Sequence, residues 1–237
     1  MAAAASTVLV FGASGAIGTA LVDRFRQSDW SVAAVSRSPQ DNPDPAINWV
    51  CWEVGAGAGD LAKLAPASVH AVVWAQGMNC NDDIYDFDAQ THETMYRANV
   101  LSIMESLQVL LQSGKLAPAA RLCVISSIWQ NIVRTRKLSY CVTKSALQGM
   151  VQSLAIDLGE KGILVNAVLP GALDTPMTRA NLQPEQIDRL QSMTPLATLP
   201  QLEDVCNLVF FLCSDQNTGL TGQFIAADRG FSYAKFL

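Results

Sequence analysis

An α/β fold built on a doubly wound, mostly parallel sheet of about seven strands, with helices on both faces, is the class this sequence predicts. Three observations carry that expectation. Short β-branched runs alternate with longer helical patterns along the 237 residues. Those runs are apolar at successive positions, as strands covered on both faces must be. A glycine-rich stretch follows the first run and opens a helical pattern, where a doubly wound sheet receives a dinucleotide.

In chain order the strands are expected at 7–11 (TVLVF), 31–36 (SVAAVS), 47–52 (INWVCW), 70–75 (HAVVWA), 121–126 (RLCVIS), 163–169 (ILVNAVL) and 223–227 (QFIAA). Only residues 37–46 separate the second and third, and Pro39, Pro43 and Pro45 lie among them, so a full crossover helix does not fit easily there. Helical patterns cover 95–111 and 140–158. The latter is apolar almost all round, with Val142, Leu147, Met150, Val151, Leu154 and Leu158, and such a helix needs cover on more than one side. The sheet supplies one cover, and a second copy of the chain is a candidate for another. Residues 174–200, with Pro176, Pro184, Pro195 and Pro200 around short helical pieces, follow a strand end and read as a substrate lid or as a plain surface excursion. Neither an internal repeat nor a composition break marks a second domain, so one domain over 1–237 is expected.

Bulk properties exclude several classes. A formal net charge of −5 argues against a general nucleic-acid binder, which needs cations along the phosphate path. Six cysteines form no CxxC pair and read as reduced residues of a cytoplasmic protein. His70 and His92 are too few and too isolated for a metal cluster, so no metal site is expected. The start MAAAASTVLVFGASG has no basic region before its apolar run and does not read as a signal peptide. No run reaches the roughly 18 apolar residues of a spanning helix, so no membrane partner is expected.

The stretch FGASGAIGTALVDRF places Gly12, Gly15 and Gly18 in a strand-to-helix turn. Glycines let backbone approach a pyrophosphate, and the helix start offers unpaired N–H groups at a positive dipole end. An acidic residue commonly ends the second strand of such sheets and grips the adenosine ribose. Here Ser36 and Arg37 stand instead, a hydroxyl and a guanidinium suited to a 2′-phosphate, so NADP(H) is preferred over NAD(H). Glu53, after the third strand, is a candidate acceptor for the adenine amino group, and an exposed acid accounts for it equally well.

Tyr140 and Lys144 are four residues apart, which puts them on one face of a helix, one turn apart. A tyrosine that trades protons near pH 7 needs its pKa lowered by about 3 units, roughly 4 kcal/mol. An ammonium about 4 to 5 Å away at an effective dielectric of about 20 supplies close to that amount. Ser127 ends the fifth strand, where its hydroxyl can meet a substrate oxygen.

With these residues in place, the sequence resembles the short-chain dehydrogenase/reductase family, in its shorter single-domain branch, over essentially the whole chain. The family's glycine turn is met by Gly12, Ala16 and Gly18, its Tyr-x-x-x-Lys by YCVTK and its preceding serine by Ser127. Asn99 in YRANV looks like its helix asparagine, and NAVLPGALDT looks like its N-x-x-x-PG with a later threonine. The resemblance implies a Rossmann-like domain in which Tyr140 is the acid/base and Ser127 orients the carbonyl. It implies that Lys144 lowers the tyrosine pKa and binds the nicotinamide ribose, and that Asn99 holds a water-linked proton relay. Cofactor contacts are implied at Gly12, Ser14, Ala16, Ile17 and Gly18, at Ala75 and Gly77, and at Pro170, Gly171 and Thr175. A homodimer or homotetramer through the two long helices is implied as well.

Departures from the family's pattern are Phe11 before the glycines, WAQG (74–77) after the fourth strand, Trp129 and Gln130 where a glycine commonly follows the serines, and ADRG (227–230). Arg134, Arg136 and Lys137 precede Tyr140 on a loop expected to rim the substrate pocket, where they would steer an anionic substrate, although a solvated loop explains them as well. Trp129 and Met177 are further candidates for the substrate wall. The activity expected is an NADPH-dependent oxidoreductase acting on a small carbonyl or alcohol. A cofactor-binding regulatory or scaffolding protein without turnover is the competing reading. An epimerase of the longer related branch is disfavoured, because little chain remains after the sheet for a nucleotide-sugar domain.

Overall fold

The computed structural model describes residues 5–40, 43–53, 61–63, 65–175, 178–179 and 183–234. Its seven strands are β1 (Thr7–Phe11), β2 (Ser31–Ser36), β3 (Asn48–Cys51), β4 (Val69–Trp74), β5 (Leu116–Ile125), β6 (Leu164–Pro170) and β7 (Phe224–Ala227). They form one sheet in the order β3-β2-β1-β4-β5-β6-β7, and every neighbouring pair is parallel. Strand order reverses direction between β1 and β4, and a crevice opens at that point beyond the C-terminal strand ends. Phe11 is level with Val35 on one side and Trp74 on the other, so the ends of β1, β2 and β4 form a common edge.

The α-helices that frame the sheet among the described residues are α1 (Ala16–Arg26), α2 (Ala89–Tyr96), α3 (Ser102–Gln112), α4 (Leu138–Asp157), α5 (Pro184–Ser192) and α6 (Leu202–Cys213). Successive strand residues point to opposite faces, and the core divides accordingly. On one face Leu9, Val72, Val124 and Val165 pack with Ile103 and Leu107 of α3 and Leu147 and Val151 of α4. On the other, Val8, Val10, Val73 and Cys123 pack with Leu21 and Phe25 of α1 and Val205 and Val209 of α6. Each fully buried aliphatic side chain contributes on the order of 1.5–3 kcal/mol, which fixes the helices against the sheet and so fixes their N-terminal ends at its functional edge.

Among the described residues between β2 and β3 there is no helix, as the prolines predict. The helix expected over 95–111 is not continuous. Residues Arg97–Leu101 form a π-helical stretch between α2 and α3, an extra residue in the turn that periodicity does not reveal. Asn99 sits inside that stretch and is buried.

Candidate active site

The turn after β1 is shaped by close approach. Gly12 has φ +71°, and a Cβ there would stand 2.6 Å from the Gln76 amide nitrogen. At Gly18 a Cβ would stand 2.1 Å from the Gly12 carbonyl oxygen, so α1 can lie against the turn only without a side chain at that place. Helix α1 begins after Gly15, which offers no side-chain cap, and no acid lies in the first turn. The amides of Ala16, Ile17 and Gly18 therefore stay open, since first-turn N–H groups have no partner within a helix.

A cleft of about 340 Å³ lies over this turn and brings together Gly12, Ser14, Ser36, Arg37, Glu53, Ala75 and Gly77. Arg37 and Glu53 are exposed at its rim. Ser36 departs from the expectation that it is available for a phosphate. Its hydroxyl donates to the Ser38 carbonyl at 2.6 Å and accepts from Gln40 Nε2 at 3.3 Å, so it holds its own loop.

Among the described residues, two buried polar atoms of the cleft lining find no partner: Trp52 Nε1 and Gln76 Oε1. The orientation of the Gln76 amide follows from its neighbours. Ser102 Oγ donates to the Ala98 carbonyl at 2.7 Å, so it must accept from Gln76 Nε2 at 3.0 Å, which leaves Oε1 as the unpaired end. One free donor and one free acceptor beside open helix amides and a glycine cradle fit a dinucleotide's adenosine half. The altered WAQG segment is tied to α3 through Gln76 and through Trp74 Nε1, which donates to Ser106 Oγ at 2.9 Å. Phe11 stacks on Trp74 with ring centroids 5.9 Å apart and meets the Trp52 edge at 5.7 Å, an aromatic set beneath the glycine turn.

Further along the same edge stand Ser127, just past β5, and Tyr140 and Lys144 in the first turns of α4. Lys144 is buried; its Nζ donates to the Ile125 carbonyl at 3.1 Å and lies 5.6 Å from the Tyr140 ring centroid. Burial lowers the Lys144 pKa to about 8. The Tyr140 phenol departs from the expected direction: burial pushes its pKa up, while a hydrogen bond with Ser127 works the other way. Spacing in the sequence carries the attraction to the lysine but not the desolvation, which dominates here.

Asn99 is held by both ends of its carboxamide. Its Oδ1 accepts from the Met78 amide at 2.7 Å, and its Nδ2 donates to the Met78 carbonyl at 3.0 Å and to Thr143 Oγ1 at 2.9 Å. Thr143 Oγ1 in turn donates to the Tyr140 carbonyl at 2.9 Å. The carboxamide thus ties the loop after β4 to the turn of α4 that carries Tyr140.

The cations before Tyr140 are the largest departure from the sequence reading. Arg136 is paired with Asp83 at 2.9 Å and Asp86 at 2.5 Å, so its charge is matched by two carboxylates and is not free to collect an anion. Lys137 is buried and donates to Asn79 Oδ1 at 2.7 Å and to the Cys80 carbonyl at 3.0 Å. Arg134 is exposed as well, its guanidinium 5.9 Å from the centroid of the half-buried Trp129 ring. Next in line, the amides of Leu138 and Ser139 donate to the Asp82 carbonyl at 3.2 Å and to Asp82 Oδ1 at 3.1 Å. Ser139 Oγ also contacts His92 Nδ1 at 2.9 Å. Burial opposes ionisation of Asp82, but the hydrogen bonds from Ser139 hold its carboxyl below the ordinary value. Residues 79–86 and 136–139 are therefore sutured together, with partners about fifty positions apart in the chain.

At the other side of the edge, Pro170 ends β6 and the Gly171 amide donates to the Ala227 carbonyl at 3.1 Å. Thr175 Oγ1 accepts from the Thr178 amide at 3.2 Å. Met177 and Pro176 lie outside the described residues. In ADRG, Asp228 accepts from the Gly230 and Ser232 amides, and Arg229 pairs with Asp204 at 2.7 Å.

A glycine turn at a strand-order reversal, together with a serine, tyrosine and lysine along one sheet edge, defines the dinucleotide-dependent oxidoreductase class. The family model described as "Enoyl-(Acyl carrier protein) reductase" matches residues 59–232. Glucose 1-dehydrogenase of Gluconobacter oxydans is 28% identical, over 97% of this chain and 92% of that protein. L-xylulose reductase of Mus musculus is 29% identical, over 94% and 95%. A solved structure described as ElxO with NADP bound superposes with a TM-score of 0.84 at 20% identity, covering 96% of this chain and 99% of that one. The chain belongs to the short-chain dehydrogenase/reductase family of oxidoreductases.

Proposed function

We propose that the protein is an NADPH-dependent oxidoreductase that moves a hydride between nicotinamide and the carbonyl or hydroxyl carbon of a small molecule, with Tyr140 as proton donor and acceptor. The observation that carries this reading is the alignment of Ser127, Tyr140 and Lys144 on the sheet edge that also bears the glycine turn and the cleft. When bound, the nicotinamide supplies the hydride. Around it the chain's own groups bind, orient and move a proton. The open amides of Ala16, Ile17 and Gly18 receive the diphosphate, and Trp52 Nε1 and Gln76 Oε1 receive the adenosine. Arg37, at the rim with no acid ending β2, meets a 2′-phosphate and favours NADPH over NADH. Ser127 donates to the substrate oxygen, and Tyr140 passes its proton to that oxygen in reduction and takes it back in oxidation. The Lys144 ammonium, charged at neutral pH, stabilises the phenolate that donation leaves behind. Val142 and Ile156 of α4 and Met104 of α3 are exposed large side chains, and a second copy of the chain is the proposed cover for them.

The test is a Tyr140→Phe variant assayed by NADPH consumption against a panel of small ketones and aldehydes. Turnover is expected to fall about 10³-fold while NADPH affinity, measured by calorimetry, stays within about threefold. Retention of full turnover by the variant sinks the assignment.

A further inference from the structure

We propose that Tyr140 works between two ammonium groups, with Lys137 acting on it alongside Lys144 as an electrostatic positioning residue. The inference rests on the acid/base role proposed for Tyr140. Lys137 Nζ lies 5.8 Å from the centroid of the Tyr140 ring and Lys144 Nζ lies 5.6 Å from it. Both lysines are buried, at 8% and 4% relative exposure.

What sets Lys137 apart from its neighbour Arg136 is the kind of partner it has. Arg136 is exposed and neutralised by Asp83 and Asp86. Lys137 is held by a carboxamide oxygen and a backbone carbonyl, both uncharged. Its hydrogen bonds fix the position of the ammonium without cancelling its charge. Burying an ammonium without an ion pair is unfavourable, and desolvation, followed by repulsion from Arg134, pulls its pKa below the ordinary lysine value. A charge kept at that expense beside a reacting group is characteristic of a functional site.

Proton donation shows what the charge does. The Tyr140 O–H bond breaks, the proton passes to the substrate oxygen, and the electron pair stays on the phenol oxygen. The side chain goes from neutral to negative while both lysines remain positive, so each ammonium favours the products of the step over its reactants. Lys137 approaches from the segment before α4, and Lys144 from within it. The other groups facing this site are Cys141 on α4, Arg134 before it, and Cys80 and Asp82 on the loop after β4. The Asp82 carboxylate is engaged by Ser139, and His92 of α2 contacts the same serine. The cations ahead of Tyr140 are on this account parts of its setting: Arg136 fastens the loop, Lys137 charges the site.

The experiment compares Lys137→Arg, which carries a cation that does not titrate, with Lys137→Gln, which keeps a hydrogen-bond donor and loses the charge. The Tyr140 ring-carbon NMR signal, assigned by its absence in Tyr140→Phe, is followed with pH in the folded protein. A unit charge about 6 Å from the ring centroid, over which a phenolate spreads part of its charge, shifts the pKa by about one unit at an effective dielectric of about 40, so the Tyr140 midpoint is expected about one unit higher in the Gln variant than in the Arg variant. In carbonyl reduction with NADPH, kcat is expected to fall about tenfold in Lys137→Gln and to recover in Lys137→Arg, with cofactor affinity unchanged in both. Equal midpoints overturn the proposal, and so does a Lys137→Arg enzyme as impaired as Lys137→Gln, because geometry alone would then explain the loss. The NMR arm needs no turnover, so it reads Lys137 even if Tyr140→Phe stays active and the acid/base role itself fails. Should Lys137→Gln unfold, Asn79→Ala keeps the ammonium and loosens its tether: near wild-type kcat supports the charge, and a tenfold loss overturns it.

Discussion

The two helices that begin at the functional edge of the sheet start in opposite ways. Helix α1 begins after a glycine, with no side-chain cap and no acid in its first turn, so its amides and positive dipole end face the cleft. Helix α4 begins at Lys137, whose side chain caps nothing, yet its first amides are taken by Asp82 from the loop after β4. One start is left open and can receive an anion from outside the chain. The other is closed by a carboxylate of the chain and holds a tyrosine still. The glycine turn works through the amides it leaves open, and the segment before Tyr140 works through the partners that Arg136, Lys137, Leu138 and Ser139 already have.

The strongest way to break this comparison is to crowd the open start. In Gly18→Ala the new methyl would stand 2.1 Å from the Gly12 carbonyl oxygen, a contact with backbone that only a shift of α1 relieves. Displacement by about 1 Å at a binding or catalytic geometry is worth on the order of 10²-fold, and NADPH affinity by calorimetry is expected to fall by at least that amount. A Gly18→Ala protein that binds NADPH as the parent does would show that the open amides are not the binding element.

A smaller effect is expected at the closed start. Asp82→Ala leaves the buried Ser139 amide without its acceptor, a loss of about 1–2 kcal/mol. For a domain of this size that lowers Tm by roughly 2–8 °C. Turnover is expected to drop about tenfold as Tyr140 loses its fixed position, while NADPH affinity at the α1 end stays within about threefold. Asp82→Asn, which keeps an acceptor oxygen, should recover most of the loss in both readings. Unchanged turnover in Asp82→Ala would mean that closing α4 serves stability only.

How far each region can be read from sequence follows the same division. The sheet, the glycine turn and the Tyr140–Lys144 pair are local patterns: apolar runs, fixed spacings, a helix one turn apart. Sequence spacing therefore carries them. The pairing of Arg136 and Lys137 joins residues about fifty positions apart, and nothing local distinguishes a fastened cation from a solvated one. Ser36 turns into its own loop because the Ser38 carbonyl two residues on accepts its hydroxyl, a local competition that composition does not reveal. The π-helical stretch at Arg97–Leu101 inserts a residue into an otherwise periodic pattern and escapes detection for that reason. Trp52 and Gln76 gain interest only when burial shows an indole N–H and a carboxamide oxygen without partners. The direction of the Tyr140 shift escapes the sequence for a related reason: charge separation follows from spacing, whereas desolvation is a property of the finished fold.

Arg37 sharpens the comparison at its finest level, because it is the cation of the open region as Arg136 is the cation of the closed one. Arg136 already holds two carboxylates, so removing it should disturb the loop and leave cofactor choice alone. Arg37 is exposed at the cleft rim and follows a strand that ends without an acid. Its guanidinium is suited to a phosphate that NADPH carries and NADH lacks. Because the contact is exposed, solvent and salt weaken it, and a charge-assisted bond of this kind is worth about 1–1.5 kcal/mol, a change of about five- to tenfold. Arg37→Ala is accordingly expected to weaken NADPH binding by that factor at low salt, with a smaller difference at high salt, while NADH binding moves less than twofold. Equal losses for the two cofactors would show that Arg37 never meets the 2′-phosphate, and the preference for NADPH would then lose the one side chain that supports it.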